Sequence, residues 1–256
     1  MPGTKQALED VRRLARAIHP GQFVVSAEHA SNRIPAAYNN LGLTRRQLDA
    51  HIAWDPGARL IARACAKALG CACHEGRFSR LFVDLNRSLH HPKLMATRSF
   101  TVAVPGNRSL LPEEKDRRVR RYYTPFREAV LADVRRAVER YGRCVHLSMH
   151  SFTPRAGGAV RKADIGLLYD PQRPLERLLA DQLLQRLRQD GFHVRRNYPY
   201  RGISDGHVTH LRDVFPKHAY AGLEIEVNQQ LLESDRHNRT IAHRLAQACQ
   251  ALARGE

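Results

Sequence analysis

Cys144-Val145-His146-Leu147-Ser148-Met149-His150-Ser151-Phe152-Thr153-Pro154 is the stretch from which the fold is read. Apolar residues alternate with polar or small ones, the run ends in a histidine, and a polar loop then stops at proline. That is the pattern of a buried strand whose last side chain emerges at a sheet edge. In open α/β sheets, ligands and chemistry collect outside the carboxyl ends of the strands. Three other stretches, residues 24–32, 81–87 and 221–229, have the same build of an apolar run ending in polar groups. The pattern predicts four strand ends delivering side chains to one edge.

Working outward, residues 4–18 have the spacing of an amphipathic helix, and 22–27 of a first core strand. That strand runs into the polar turn Glu28-His29-Ala30-Ser31-Asn32-Arg33-Ile34-Pro35. Thr44 reads as the N-cap of a helix through Leu48, and a second helix follows over 56–69. Strands are expected at 71–74 and 81–85, a long loop or insertion over 88–111, and a long basic helix over 112–141. Beyond the central strand come a flexible link at Ala156-Gly157-Gly158, a strand at 164–169, a helix at 174–189 and a strand at 192–195. A loop over 197–202, a last core strand at 220–227 and a closing amphipathic helix at 238–253 complete the chain. Strands alternating with helices predict one α/β domain over 1–256. Its architecture is a three-layer α/β/α sandwich around a central mixed, mostly parallel sheet. A chain of 256 residues buries roughly three-quarters of its unfolded surface, enough for a full core.

Forty-two Lys and Arg against 25 Asp and Glu give a net charge of +17, a field that favours anionic partners. The excess is spread along the chain, with no zinc finger, helix-turn-helix or aromatic-basic motif, so nucleic acid is not the favoured partner. Five cysteines, odd in number and without a Cys-x-x-Cys pair, fit a reduced cytoplasmic protein. The first residues lack the apolar core of a signal peptide, and no run approaches a membrane span.

His29 and His150 stand at the ends of apolar strands, where neutral imidazole is a standard ligand for a divalent metal. A lone strand histidine is ordinarily a hydrogen-bonded core residue; two similar strand ends shift the reading toward a metal. His146 shares a face with His150 but lies roughly 13 Å away at about 3.3 Å per residue, too far for both to bind one ion. A catalytic zinc site needs a third ligand, for which Asp55, Asn32 and Glu28 are the candidates. Asn32 is a neutral amide. Asp55 equally suits an N-cap for the helix starting at Pro56. Glu28, if the strand continues that far, points to the face opposite His29. Glu224 and Glu226 lie in an apolar strand where a carboxylate is costly unless paired or functional. Glu226, nearer the exit, is the candidate general base, and Glu224 suits a salt bridge. Arg87, after Asn86, and Arg201, beside Tyr200, are placed to grip carboxylates through paired hydrogen bonds. His90, His91, His207 and His210 are expected in loops that line the pocket.

Seven segments in chain order, across most of residues 22–232, together resemble the N-formylglutamate amidohydrolase family. They are Glu28-His29-Ala30-Ser31-Asn32-Arg33-Ile34-Pro35, Trp54-Asp55-Pro56-Gly57-Ala58 and Ser79-Arg80-Leu81-Phe82-Val83-Asp84-Leu85-Asn86-Arg87, then Ser148-Met149-His150-Ser151-Phe152. Asp164-Ile165-Gly166-Leu167-Leu168-Tyr169, Asn197-Tyr198-Pro199-Tyr200-Arg201-Gly202 and Glu226-Val227-Asn228-Gln229-Gln230-Leu231 follow. The resemblance implies a phosphorylase/hydrolase-like fold akin to zinc carboxypeptidase and aspartoacylase. It implies His29 and His150 as ligands of zinc or another divalent transition metal, Glu226 as acid/base, and Asn86-Arg87 as a substrate clamp. Asp55 is carried as third ligand, and Tyr200, Arg201 and His210 as further substrate contacts. Two departures stand out: His29-Ala30-Ser31-Asn32 replaces the carboxypeptidase-like His-x-x-Glu, and Val227-Asn228-Gln229-Gln230 lacks the arginine and aspartate often found in relatives. The implied reaction is hydrolysis of a small anionic N-acyl amino acid, N-formyl-L-glutamate to formate and L-glutamate, a step of histidine degradation. The rival readings are an aspartoacylase- or carboxypeptidase-like hydrolase of another N-acyl substrate or peptide, and a basic nucleic-acid-binding protein on a degenerate scaffold.

Overall fold

A computed structural model describes residues 18–255; the helix expected over 4–18 lies, but for Ile18, outside them. In chain order the elements are β1 (Phe23–Ala27), α1 (Arg45–Asp49), α2 (Ala58–Leu69), β2 (Ala72–Glu75), β3 (Arg98–Ser99), β4 (Val102–Ala103), α3 (Pro112–Arg118) and α4 (Thr124–Tyr141). They continue with β5 (Cys144–Phe152), β6 (Arg155–Ala156), β7 (Ala159–Val160), β8 (Ile165–Leu168), α5 (Pro174–Gln189), β9 (Val194–Arg196), α6 (His207–Val214), β10 (Tyr220–Asn228) and α7 (Asp235–Arg254). Six strands form the central sheet in the order β2-β1-β5-β10-β8-β9, with β8–β10 the antiparallel pair and the rest parallel. This is the mixed, mostly parallel α/β sheet that the alternation predicts.

The period of two sorts each central strand onto two faces. Phe23, Val25 and Ala27, Val145, Leu147 and Met149, and Leu223, Ile225 and Val227 all enter one apolar cluster with α2, α5 and α7. Each fully buried Phe, Val, Leu, Ile or Met side chain among them contributes about 1.5–3 kcal/mol. On the other face Val24, Cys144 and Tyr220 pack under Val130, Val134 and Ala137 of α4 and Leu211 of α6. Farther along that face the register lines up Val24, His146 and Gly222, then Ser26, Ser148 and Glu224. His150 beside Glu226 and Phe152 beside Asn228 follow. The sheet is greasy on one side and grades on the other from core to chemistry. Gly222 permits this packing, because a Cβ there would stand 2.4 Å from Val208 Cγ1 of α6.

Four local expectations change. Residues 81–85 form turns rather than a strand. Their apolar side chains join a second cluster with Leu41, Leu48 and Ile52, and their carbonyls are taken by side chains: Leu81 O by Asn107, Phe82 O by Arg118 and Leu85 O by Arg127. With the backbone satisfied this way no neighbouring strand is needed. The helix expected over 112–141 is α3 and α4 joined by a π turn at Val119–Tyr123, just before Pro125, which has no amide hydrogen to donate. Gly157 and Gly158, expected as a flexible link, form the tight turn of the β6–β7 hairpin at φ 55° and 81°. His207 and His210 sit on α6, not in a loop. Thr44, by contrast, caps α1 as expected, in a reciprocal capping box with Gln47. No helix among the described residues is long and apolar enough to cross a membrane.

Candidate active site

The strand β1 ends at Ala27, and the chain turns so that His29, not only Glu28, reaches the polar face. The His29 carbonyl accepts from Asp55 N at 3.0 Å, which ties this turn to the loop before α2. Asp55 is not the helix cap: α2 starts at Ala58 with Gly57, at φ 80°, in the cap position. Its carboxylate instead lies between two imidazoles. Oδ2 is 3.3 Å from His29 Nδ1 and 2.9 Å from His150 Nδ1, and the two rings stand edge-on with centroids 5.1 Å apart. Oδ1 is ion-paired with Arg80 Nη1 at 2.9 Å, and that nitrogen also lies 3.4 Å from His29 Nδ1.

The outer ring nitrogens are held as well. His29 Nε2 is 2.7 Å from Asp84 Oδ1, and His150 Nε2 is 3.0 Å from Ser148 Oγ and 3.4 Å from Glu28 Oε2. With Nε2 of each ring donating outward, both rings keep a lone pair on Nδ1 facing the same Asp55 oxygen. Three acceptors then converge, their ligand atoms within 4.8 Å of one another. A shared proton or a cation reconciles them. Two imidazoles and one carboxylate, with carboxylates behind the rings, is a donor set that fits a divalent transition metal.

Glu28 proves to be the hub beneath this group. Alternation from Val24 and Ser26 puts it on the His150 face, where it accepts from Ser26 Oγ at 2.8 Å, Ser148 Oγ at 2.6 Å and His207 Nδ1 at 2.9 Å. Burial alone would raise its pKa, but hydrogen bonds from His150 and His207 hold it well below the usual carboxylate range. Burial works against ionised Asp55 too, and is outweighed by Arg80 and His29. It works equally against protonated His29 and His150, whose pKa values are nonetheless raised by Asp84, Asp55 and Glu28. Glu226 behaves oppositely. Beside His150 in the register, its Oε2 is buried with no hydrogen-bond partner, and burial, only partly offset by His150, pushes it up to about 7. A carboxyl tuned to that range can both accept and return a proton near neutral pH.

His146 lies two rows behind His150, bonded to Ser26 Oγ and Tyr220 Oη at 2.8 Å each, and is core, as its distance from His150 required. Burial lowers its pKa to about 3, and that of His207 to about 4, below the 6.5 of an unfolded chain. For such groups the unfolded state takes up protons first, so their stabilisation is present above pH 6.5 and drains away as pH falls toward the folded values. His146→Gln is therefore expected to be destabilising at pH 7.5. The gap from wild type should narrow by about 2 kcal/mol at pH 5. Urea unfolding at both pH values measures it, and a gap independent of pH rejects the account.

Asn32 bonds to Asp49 on the surface at 2.9 Å and takes no part in the His29–Asp55–His150 group. Glu224 lies one row behind Glu226, its pKa raised by burial, and no salt bridge holds it among the described residues. Asn86 Oδ1 accepts from His207 N at 2.7 Å, and Arg87 Nη1 donates to Asp205 O at 3.0 Å with its charge shared between Asp84 and Asp205 at 3.9 Å. Tyr200, Arg201 and His210 are exposed, and no hydrogen bond or ion pair joins them to the metal-fitting group. Residues to which sequence reasoning gave no role are Asp84 and Arg80; Asp84 sits in the quoted Asp84-Leu85-Asn86-Arg87 turn and was within reach, whereas Arg80 carries no local signal. His207, expected to line the pocket from a loop, reaches Glu28 from α6 instead.

The family model for N-formylglutamate amidohydrolase matches residues 21–233. Among solved structures, a gene product of Agrobacterium tumefaciens superposes with a TM-score of 0.78 at 30% identity, covering 94% of this chain and 96% of that one. The N-formylglutamate amidohydrolase of Ralstonia eutropha superposes with a TM-score of 0.72 at 22% identity over 93% of each chain, a likeness of fold. Among curated proteins no significant match is found.

Proposed function

Because the chain belongs to the N-formylglutamate amidohydrolase family, we propose that it is a metal-dependent hydrolase of N-formyl-L-glutamate, releasing formate and L-glutamate. The observation that carries the metal-dependent part is the convergence of His29, Asp55 and His150 on one point, with their outer hydrogen-bond partners in place. A bound divalent cation of the zinc type would be held by these three residues and would supply Lewis acidity toward the scissile carbonyl.

The remaining work falls to this chain's side chains. Glu226, desolvated and poised at about 7, takes a proton from the attacking water and hands it to the departing amine nitrogen. Asp84 and Glu28, behind the two histidines, fix their tautomers and orientation. Arg80 balances the Asp55 charge, so that the buried carboxylate keeps its place without drawing a proton. Asn86, pinned by the α6 amide of His207, and Arg87, braced by Asp205, line the substrate side as the family resemblance implies.

The test combines chemistry and metal analysis. Purified protein is expected to hold about one divalent metal per chain and to release formate and glutamate in equal amounts, with activity lost on chelation and restored by zinc. Metal-free protein of full activity would remove the metal from this reading, and absence of formate release would remove the substrate.

A further inference from the structure

An acidic N-acyl amino acid brings its own carboxylates. Of the two arginines expected to receive them, Arg87 is braced against Asp84 and Asp205 and Arg201 is exposed. Arg80, beside the site, is spent on Asp55 and the carbonyls of His51 and Trp54. Arg161 is differently placed. It follows the β6–β7 hairpin, is half-buried, and has no carboxylate within ion-pair distance among the described residues. Its guanidinium stands over the rings of Phe152, at 5.8 Å, and Tyr200, at 5.2 Å. Nη1 makes only long contacts, to Tyr200 Oη at 3.3 Å and Thr153 O at 3.4 Å. The backbone beneath it is firmly held: Arg161 N donates to Pro154 O at 2.8 Å, and its carbonyl accepts from Asn228 Nδ2 at 3.1 Å.

The strand pleat sets its relation to the site. Phe152 is on the same face as His150, two residues farther out, and Asn228 is likewise two beyond Glu226. At about 3.3 Å per residue Phe152 Cα lies some 6–7 Å outward from His150 Cα, and the guanidinium stands against the Phe152 ring, on the outer side of the site. Its field also reaches the site rim, where burial, Arg80 and Arg161 together lower the pKa of His51. Two aromatic walls, unspent donors and a rigid backbone make a fork matched to a planar carboxylate.

Resting on the function proposed above, we infer that Arg161 is the specificity-determining residue that receives the side-chain carboxylate of the acidic substrate. The experiment compares N-formyl-L-glutamate with N-formyl-L-glutamine, which keeps the shape and loses the charge, in wild type, Arg161→Ala and Arg161→Lys. For the acid, Arg161→Ala is expected to raise KM about ten- to a hundredfold with kcat within about twofold and metal content unchanged, as loss of one charge-assisted contact does. Arg161→Lys recovers part of the loss, and for the glutamine analogue the variants and wild type differ little. An unchanged KM for the acid, or an equal loss on both substrates, overturns the assignment and leaves Arg161 a structural residue stacked on Tyr200. Wild type that releases no formate from either compound removes the functional reading, and this inference with it.

Discussion

Glu226→Gln is expected to lower kcat by about 10²–10⁴ while leaving metal content and fold intact. Glu226 Oε2 is buried without a hydrogen-bond partner, and burial pushes its pKa up to about 7. An isosteric amide keeps the volume and removes only the capacity to carry a proton. Since the carboxylate is not held by any ion pair among the described residues, its neutral replacement should unfold at the same denaturant concentration as wild type or a higher one. Turnover of the variant at the wild-type rate would remove Glu226 from the chemistry. A large fall in metal content would reassign it as a ligand.

Asp55→Asn should give the opposite signature. One carboxylate is ion-paired with Arg80 Nη1 at 2.9 Å and stands 3.3 and 2.9 Å from His29 Nδ1 and His150 Nδ1, with which it shares a proton or a cation. Removing one member of a buried charge group costs about 3–5 kcal/mol, because the partners stay buried and unanswered. The variant is expected to lose metal, turnover and several kcal/mol of stability together. Metal analysis and urea unfolding on the same preparation decide it. Stability and metal content equal to wild type would mean that the cluster around Asp55 is an incidental packing of polar groups.

The pair of variants separates two roles that look alike in a sequence. Both residues are acidic and were candidates for the same site, but Asp55 is crowded by positive charge and Glu226 is merely desolvated. Environment, not residue type, sets one pKa far down and the other up to about 7. The absence of glutamate at position 32 is accounted for in the same way. Asn32 turns outward to Asp49, and the carboxylate beside the two histidines comes from a loop 26 residues after His29.

How far the residues alone carry can be seen in β5 and β10. Alternation over residues 144–152 and 220–228 is a local property of an extended chain, so it was legible that Leu147 and Ile225 face a core while His150 and Glu226 share the other face. The same logic placed α5 at its observed bounds and set Thr44 as a cap. It failed at 81–85, where apolar residues suggest a strand but side chains of Asn107, Arg118 and Arg127 supply the carbonyl partners. It was also silent on Arg161, whose pattern is that of any surface arginine.

The sequence by itself determined the layered α/β sheet and the polar face of its central strands, because face and period depend only on neighbouring residues, and it singled out His29, His150 and Glu226 as candidates at the strand ends. Tertiary structure alone decided which groups answer them. Asp84 behind His29, Arg80 on Asp55 and His207 on Glu28 are separated in the chain by 55, 25 and 179 residues. Contacts at such range are set by how loops close over the sheet, and no local pattern encodes that closure.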